Sequence, residues 1–390
     1  MTPVDRRRFI QLGGCATALA GAAFPSVAAA QSATAARSVP EDRIVRLTGD
    51  GLGLSPAQYS RLLTQLTEQH GFAADSYTLG GIVEQLEAEC ARVLGKEQAV
   101  FMPTGTLANH MAVRALAGEP SRVIVQEDSH LYQDEGDCAQ TLSGLTLVPL
   151  AAGRATFTAA DVQQALDQTR SARVVKRVSV ISIETPVRRK QGERFDAAEM
   201  QRVVALAKRE GIKLHLDGAR LFLQAAYTGE NVADTVRPFD TVYVSLYKYF
   251  NAASGAILAG PRDVMKDLYH VRRMFGGGLS SVWPFAAVAL HYMTGFGERY
   301  TRAVRASEAL IASLQNREGV AIERIPSGTN LFRLRIDASK RDAAAIRQRL
   351  AAKGILVPEA QRGSFMLGVN ETLNRLTPAE LSDAFISAIA

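Results

Sequence analysis

The chain has 390 residues, 47% hydrophobic and 22% charged, with a formal charge of +6. That is the make-up of a soluble globular chain with room for about two or three domains. It excludes a disordered chain, a collagen-like chain and a small disulfide-held scaffold. The cysteines have no CxxC or CxxH spacing and give no zinc site, so no metal is expected. No basic run with interleaved aromatics is present, which argues against nucleic acid as a partner.

At the N-terminus, Arg6-Arg7-Arg8-Phe9-Ile10 precede an uncharged run, rich in Ala and Gly, from Gln11 to Ala30. A positive flank, an apolar middle and the small-residue end Ala28-Ala29-Ala30 predict an export signal over residues 1–30. The run is too weakly hydrophobic for a stable membrane anchor. The stretch Asp5–Ile10 resembles a twin-arginine signal, with Asp5 where Ser or Thr is commoner. This implies the twin-arginine export machinery as a partner and a periplasmic or secreted protein. Residues 31–42 read as a linker.

Beyond the linker, short β-branched runs predict buried strands at 98–102, 122–126, 174–184, 212–216, 241–246 and 256–259. Helical patterns at 106–117, 160–168 and 197–210 lie between them. This alternation predicts an α/β fold, a mostly parallel sheet covered on both faces, over residues 43–295. A long helix at 303–315 then leads to strand 331–336, helix 341–352, strand 365–369 and helix 378–389, a smaller α+β domain over 296–390.

Three segments carry chemistry. In Pro103-Thr104-Gly105-Thr106-Leu107-Ala108-Asn109 a strand ends and a helix begins. Gly105 lets a ligand approach, Thr104 and Thr106 offer hydroxyls, and the helix N-terminus favours an anion such as phosphate. An ordinary Thr-capped helix is the plainer reading. In Leu214-His215-Leu216-Asp217-Gly218-Ala219-Arg220, Asp217 closes a buried strand, where open α/β sheets place ligands. Its cationic partner is either a protonated pyridine nitrogen or Arg220. In Val242-Tyr243-Val244-Ser245-Leu246-Tyr247-Lys248, an apolar strand delivers Lys248 among aromatics. Desolvation there suits an amine nucleophile, although a strand-end lysine also snorkels to solvent. Ser245 is placed to face the same phosphate. Together the three segments suit pyridoxal 5′-phosphate (PLP).

The same residues resemble fold-type-I PLP enzymes, and within them the low-specificity L-threonine aldolases of the β-eliminating-lyase group. The matching segments are Gly95-Lys96-Glu97, Pro103–Asn109, Asp128-Ser129-His130, Ser182-Ile183-Glu184, His215–Phe222, Lys248 and Arg272–Gly278. The resemblance implies cleavage of a β-hydroxy amino acid to glycine and an aldehyde, in a homodimer or homotetramer. It implies that Thr104, Gly105, Thr106 and Ser245 hold the phosphate, and that His130 stacks on the ring near the substrate hydroxyl. Asp217 pairs with the ring nitrogen, Lys248 carries the cofactor, Arg220 binds the substrate carboxylate, and Arg273 or Arg272 reaches a neighbouring subunit's phosphate. Four positions depart from the family: Asp134 before Glu135, Arg188-Arg189-Lys190 after Glu184-Thr185-Pro186-Val187, Tyr247 before Lys248, and Leu279-Ser280-Ser281 after the glycines. A second carboxylate-binding arginine has no clear equivalent; Arg362 is the nearest. The cofactor half is therefore intact and the substrate half altered. Another PLP-dependent lyase or transaminase, or an exported PLP-binding protein with little turnover, stays as an alternative.

Overall fold

A computed structural model describes residues 39–390. The expected export signal, and the expected linker up to residue 38, lie outside the described residues. The central sheet has seven strands in the order β2-β8-β7-β6-β5-β3-β4. They are β2 (Gln98–Met102), β3 (Arg122–Gln126), β4 (Thr146–Leu150), β5 (Val178–Glu184), β6 (Lys213–Asp217), β7 (Thr241–Ser245) and β8 (Ala256–Gly260). The pairs β3–β4, β3–β5, β5–β6 and β6–β7 are parallel, while β8 runs against both β2 and β7. The inner strands β5 and β7 are buried along their whole length, as a sheet covered on both faces requires. The helices Gly105–Ala117, Ala159–Arg170 and Ala197–Glu210 follow β2, β4 and β5 as the crossovers.

Two readings shift. The strand expected from 174 begins at Val178, because Val174 and Val175 are 69% and 63% exposed in the turn before it. Strand β4, at the sheet edge, was not anticipated, since Pro149 sits within it and only Leu147 is buried. Edge strands tolerate proline where inner strands do not.

The C-terminal part forms a second core around an antiparallel sheet β12-β10-β9, from β9 (Val320–Arg324), β10 (Leu331–Ile336) and β12 (Ser364–Gly368). The boundary expected at residue 43 is different in one respect. Strand β1 (Val45–Arg46) pairs in parallel with β11 (Ile355–Leu356), and Val45 and Leu47 are buried in this second core. Helix Phe296–Leu314 joins the cores: Phe296 and Tyr300 pack into the first, Ala303 to Leu314 into the second. No helix among the described residues is long and apolar enough to cross a membrane.

The register of the sheet sets up one edge. Glu184 of β5 lies beside Asp217 of β6, and Asp217 beside Tyr243 of β7. These strand ends, with Met102 of β2 just before Pro103, form the carboxyl edge where ligands of such sheets bind. Residues 48–54, which leave β1, run across that edge and line the cleft there. Leu47 is therefore an anchor for the cleft as well as for the core. Leu47→Ala is expected to lower stability by about 2–5 kcal/mol, read as a lower denaturation midpoint, and to raise KM because the 48–54 segment loses its root.

Candidate active site

Asp217 is 2% exposed at the end of β6. Its Oδ2 accepts from Asn109 Nδ2 at 2.8 Å, and its Oδ1 from the Ala219 N–H at 3.1 Å. Among the described residues it has no ion pair. The expected alternative, an Asp217–Arg220 pair, does not form: Arg220 Nη2 and Nε both approach Asp50 Oδ2 at 2.9 Å. Asp50 also accepts from Asn330 Nδ2 at 3.1 Å. Arg220 Nη1 is left without an acceptor among the described residues, and Arg220 still lines the cleft.

Asn109 is fully buried on the helix Gly105–Ala117, which Thr104 caps by accepting from the Leu107 N–H. Its Oδ1 lies 3.0 Å from His215 Nε2, and His215 Nδ1 lies 2.9 Å from Thr241 Oγ1. Burial pushes His215 down to about 4, so its ring is neutral, with Nε2–H donating to Asn109. Asn109 Nδ2 spends its two hydrogens on Asp217 and on Glu135 Oε1, the latter at 2.9 Å.

Glu135 Oε1 also accepts from His130 Nδ1 at 2.8 Å. Ser129 caps the short helix His130–Gln133, and the His130 N–H donates to Glu184 Oε2 at 2.6 Å. Both contacts fix the imidazole, leaving Nε2 without a partner among the described residues. The bond to Glu135 raises the His130 pKa, burial opposes it, and Asp217 adds to the rise. Burial likewise pushes Glu135 up, against the two bonds it accepts. Glu184 is raised to about 7 by burial and by Asp217 beside it.

Lys248 Nζ lies 3.2 Å from Tyr247 Oη and 4.5 Å from the centre of that ring. It opens on a cleft of about 1020 Å³ with Asp217, His130, Arg220 and Glu184. A smaller cavity of about 310 Å³, lined by Thr104, Gly105, Thr106 and Ser254, adjoins it and shares His130, Tyr243 and Tyr247. A Cβ on Gly105 would collide with Tyr243 Oη. The Gly105 backbone thus lies directly against the Tyr243 hydroxyl, with no room for a side chain.

The expected site residues divide cleanly. Lys248, His130, Asp217, Arg220, Thr104, Gly105 and Thr106 meet at the two cavities. Ser245 lines neither; its buried Oγ has no partner among the described residues. Arg272 is buried, donating to the Phe101 carbonyl and Thr78 Oγ1. Arg273 is exposed, over the rings of Tyr77 and Tyr269, and lines neither cavity. Arg362 is exposed and also lines neither. Cys90 and Cys138 are free. Cys90 lies 3.7 Å from Met293 Sδ, and Cys138 3.7 Å from Glu135 Oε2. Sequence reasoning gave no role to Asn109, Glu135, Tyr243 or Arg46. Asn109 shares its helix with Thr106, His110 and Arg114, so its polarity alone gave no signal.

The residues fit PLP. The small cavity at the N-terminus of the helix Gly105–Ala117 suits a phosphate. The buried, cation-free Asp217 suits a protonated ring nitrogen. Lys248 offers its amine to the cleft that connects them.

Residues 69–338 match the family model described as beta-eliminating lyase. The chain is 27% identical over 278 residues to low-specificity L-threonine aldolase 1 of Arabidopsis thaliana, covering 70% of this chain and 77% of that one. It is 26% identical over 260 residues to the low specificity L-threonine aldolase of Saccharomyces cerevisiae, covering 66% of each chain. A crystal structure from Listeria monocytogenes EGD-E, assigned as an L-allo-threonine aldolase, superposes with a TM-score of 0.73 at 26% identity, covering 88% of this chain and 95% of that one. The fold is the fold-type-I PLP fold, as the sequence reading expects. Gly105→Ala is expected to weaken PLP binding roughly 10- to 100-fold, the cost of forcing a methyl group into a filled space. Cofactor absorbance on titration measures it.

Proposed function

The chain belongs to the beta-eliminating lyase family, and on that premise we propose that it is a PLP-dependent aldehyde-lyase acting on β-hydroxy amino acids of the L-threonine or L-allo-threonine type. The observation that carries this reading is the His130–Glu135 pair opening on the same cleft as Lys248 and Asp217. A base held beside the reacting bond is what aldol cleavage requires beyond the cofactor.

Lys248 is the covalent attachment point. Thr104, Gly105 and Thr106 would receive the phosphate, and Asp217 the ring nitrogen. Bound there, PLP supplies the electron sink for the pair released from the Cα–Cβ bond. Arg220 offers Nη1 to the α-carboxylate while Asp50 holds its other edge. His130 Nε2 takes the β-hydroxyl proton as the Cα–Cβ bond breaks. The β-carbon leaves as an aldehyde, and Cα gains a proton to give glycine. Glu135 keeps the His130 proton on Nδ1, so that Nε2 is the basic nitrogen.

Assembly and location are part of the same proposal. Arg273 is exposed and outside its own cleft, which supports a role at a neighbouring subunit's phosphate in a homodimer or homotetramer. Arg6-Arg7 and the small-residue run ending at Ala30 support export of a folded, cofactor-loaded protein to the periplasm or beyond. A PLP enzyme exported unfolded would have to find its cofactor outside the cytoplasm.

Purified holoenzyme given L-threonine or L-allo-threonine is expected to yield equal amounts of glycine and acetaldehyde, and Lys248→Ala none. Transfer of the amino group from L-alanine to a keto acid, without aldehyde, would instead make it a transaminase. His130 must be neutral to act, so its raised pKa places the acid limb of the rate profile above the ordinary histidine value, near ~6.5. Activity rises as pH climbs through that limb. Glu135→Gln removes the main cause of the shift and is expected to move the limb to lower pH. An unmoved limb would mean that another group is the base. For export, an Arg6→Lys/Arg7→Lys variant is expected to stay in the cytoplasm with residues 1–30 attached, against a processed wild type outside it. Fractionation decides this.

A further inference from the structure

The cleft of about 1020 Å³ lies at the upper end of small-molecule sites and has to take the cofactor's ring as well as an amino acid. Its charges do not balance. The cations lining it are Arg46, Arg188, Arg220 and Lys248; the carboxylates are Asp50, Glu184 and Asp217. The cofactor claims Lys248 and Asp217. Arg220 is paired with Asp50. Glu184 spends its two oxygens on the backbone N–H groups of His130 and Arg188, at 2.6 and 2.9 Å. Burial and Asp217 hold its pKa near 7, so it is a weak counter-charge.

Arg46 and Arg188 remain. The Arg46 guanidinium has no acceptor among the described residues. Arg188 donates from Nη2 to Asp134 Oδ2 at 2.5 Å, but Arg189 takes both oxygens of the same carboxylate, at 3.1 and 2.6 Å. Two guanidinium groups share one carboxylate there, and Arg188 keeps Nε and Nη1 for a ligand. An α-carboxylate on Arg220 leaves both Arg46 and Arg188 over. Arginine's planar fork pairs bidentately with a carboxylate.

We propose that Arg188, together with Arg46, receives a second carboxylate on the substrate's side chain, so that the substrate class is the β-hydroxy amino dicarboxylic acids. This rests on the aldolase reading of the same cleft. With 3-hydroxyaspartate the balance is simple. The β-hydroxyl proton goes to His130, the Cα–Cβ bond breaks, the β-carbon leaves as the aldehyde of glyoxylate, and Cα takes a proton to become glycine. No oxidant or reductant enters.

The first test needs no turnover. Succinate and butyrate differ only in a carboxylate in place of a methyl group. Calorimetric titration of the holoenzyme is expected to show succinate bound about tenfold tighter or better, the worth of one charge-assisted bond at a half-exposed arginine. Arg188→Gln is expected to bring the two ligands close to parity, and Arg188→Lys to restore part of the difference. Cofactor absorbance and circular dichroism confirm that each variant is folded and loaded. The second test is kcat/KM, expected to be at least about tenfold higher for 3-hydroxyaspartate than for L-threonine. Equal binding of succinate and butyrate overturns the proposal. So does a succinate preference that survives both Arg188→Gln and Arg46→Gln, or a kcat/KM that favours threonine. A succinate preference lost in Arg188→Gln, with neither amino acid cleaved, supports the carboxylate subsite and sinks the aldolase reading instead.

Discussion

A carboxylate sealed at the end of a buried strand is the constraint from which the rest of the site follows. Burying an unpaired charge costs several kcal/mol, and Asp217 has only an amide and one backbone N–H to offset that. The obvious cation, Arg220, is three residues along the chain but is turned to Asp50. Asp217 is thus without a cationic partner among the described residues. A protonated pyridine nitrogen would fit there, since an opposite charge close by favours the charged form of each group.

The same carboxylate organises its neighbours through Asn109. Thr241, His215 and Asn109 form a chain in which each hydrogen has one place to go. With His215 neutral and Asn109 Oδ1 accepting, both Asn109 hydrogens must point at acceptors, and Glu135 and Asp217 are those acceptors. The amide therefore bridges two acids that would otherwise repel. It also ties His130 to Asp217: Glu135 is fixed by Asn109 and in turn fixes His130. Fully satisfied polar networks of this kind hold geometry tightly because any broken member leaves a buried group unpaired.

The sheet was legible because its chemistry is local. Strands β2, β3 and β5 to β8 are short apolar runs between turn residues, and each sequence-derived cofactor residue except Ser245 and Arg273 lies at the cavities that those strands and their loops form. Ser245 is the one strand residue among them that lines neither cavity; its Oγ is buried. What could not be read was long-range. Asp50 meets Arg220 across 170 positions of chain, and Asn109 meets Asp217 across 108. Val45 and Leu47 look like the start of the large domain, yet they pack in the second core because β1 finds a parallel partner at Ile355. Arg46 gives no signal in sequence at all; it counts only once β1 is placed at the rim of the cleft.

These placements explain why the family resemblance is strong in one half of the site and weak in the other. The residues for the cofactor stand on β2, β6 and β7 or on the first turn after them, where a slip of one residue would break sheet register and core packing together. The cleft wall facing the substrate comes instead from the 48–54 segment, the Arg188 turn after β5 and Tyr247, all outside the ladder. Substitutions there cost little packing, since Arg188 is 46% exposed and loops tolerate change that strands do not. A rigid cofactor platform with a loosely constrained rim lets side-chain chemistry at the rim change which amino acid enters, while the bond-breaking machinery beneath it stays the same.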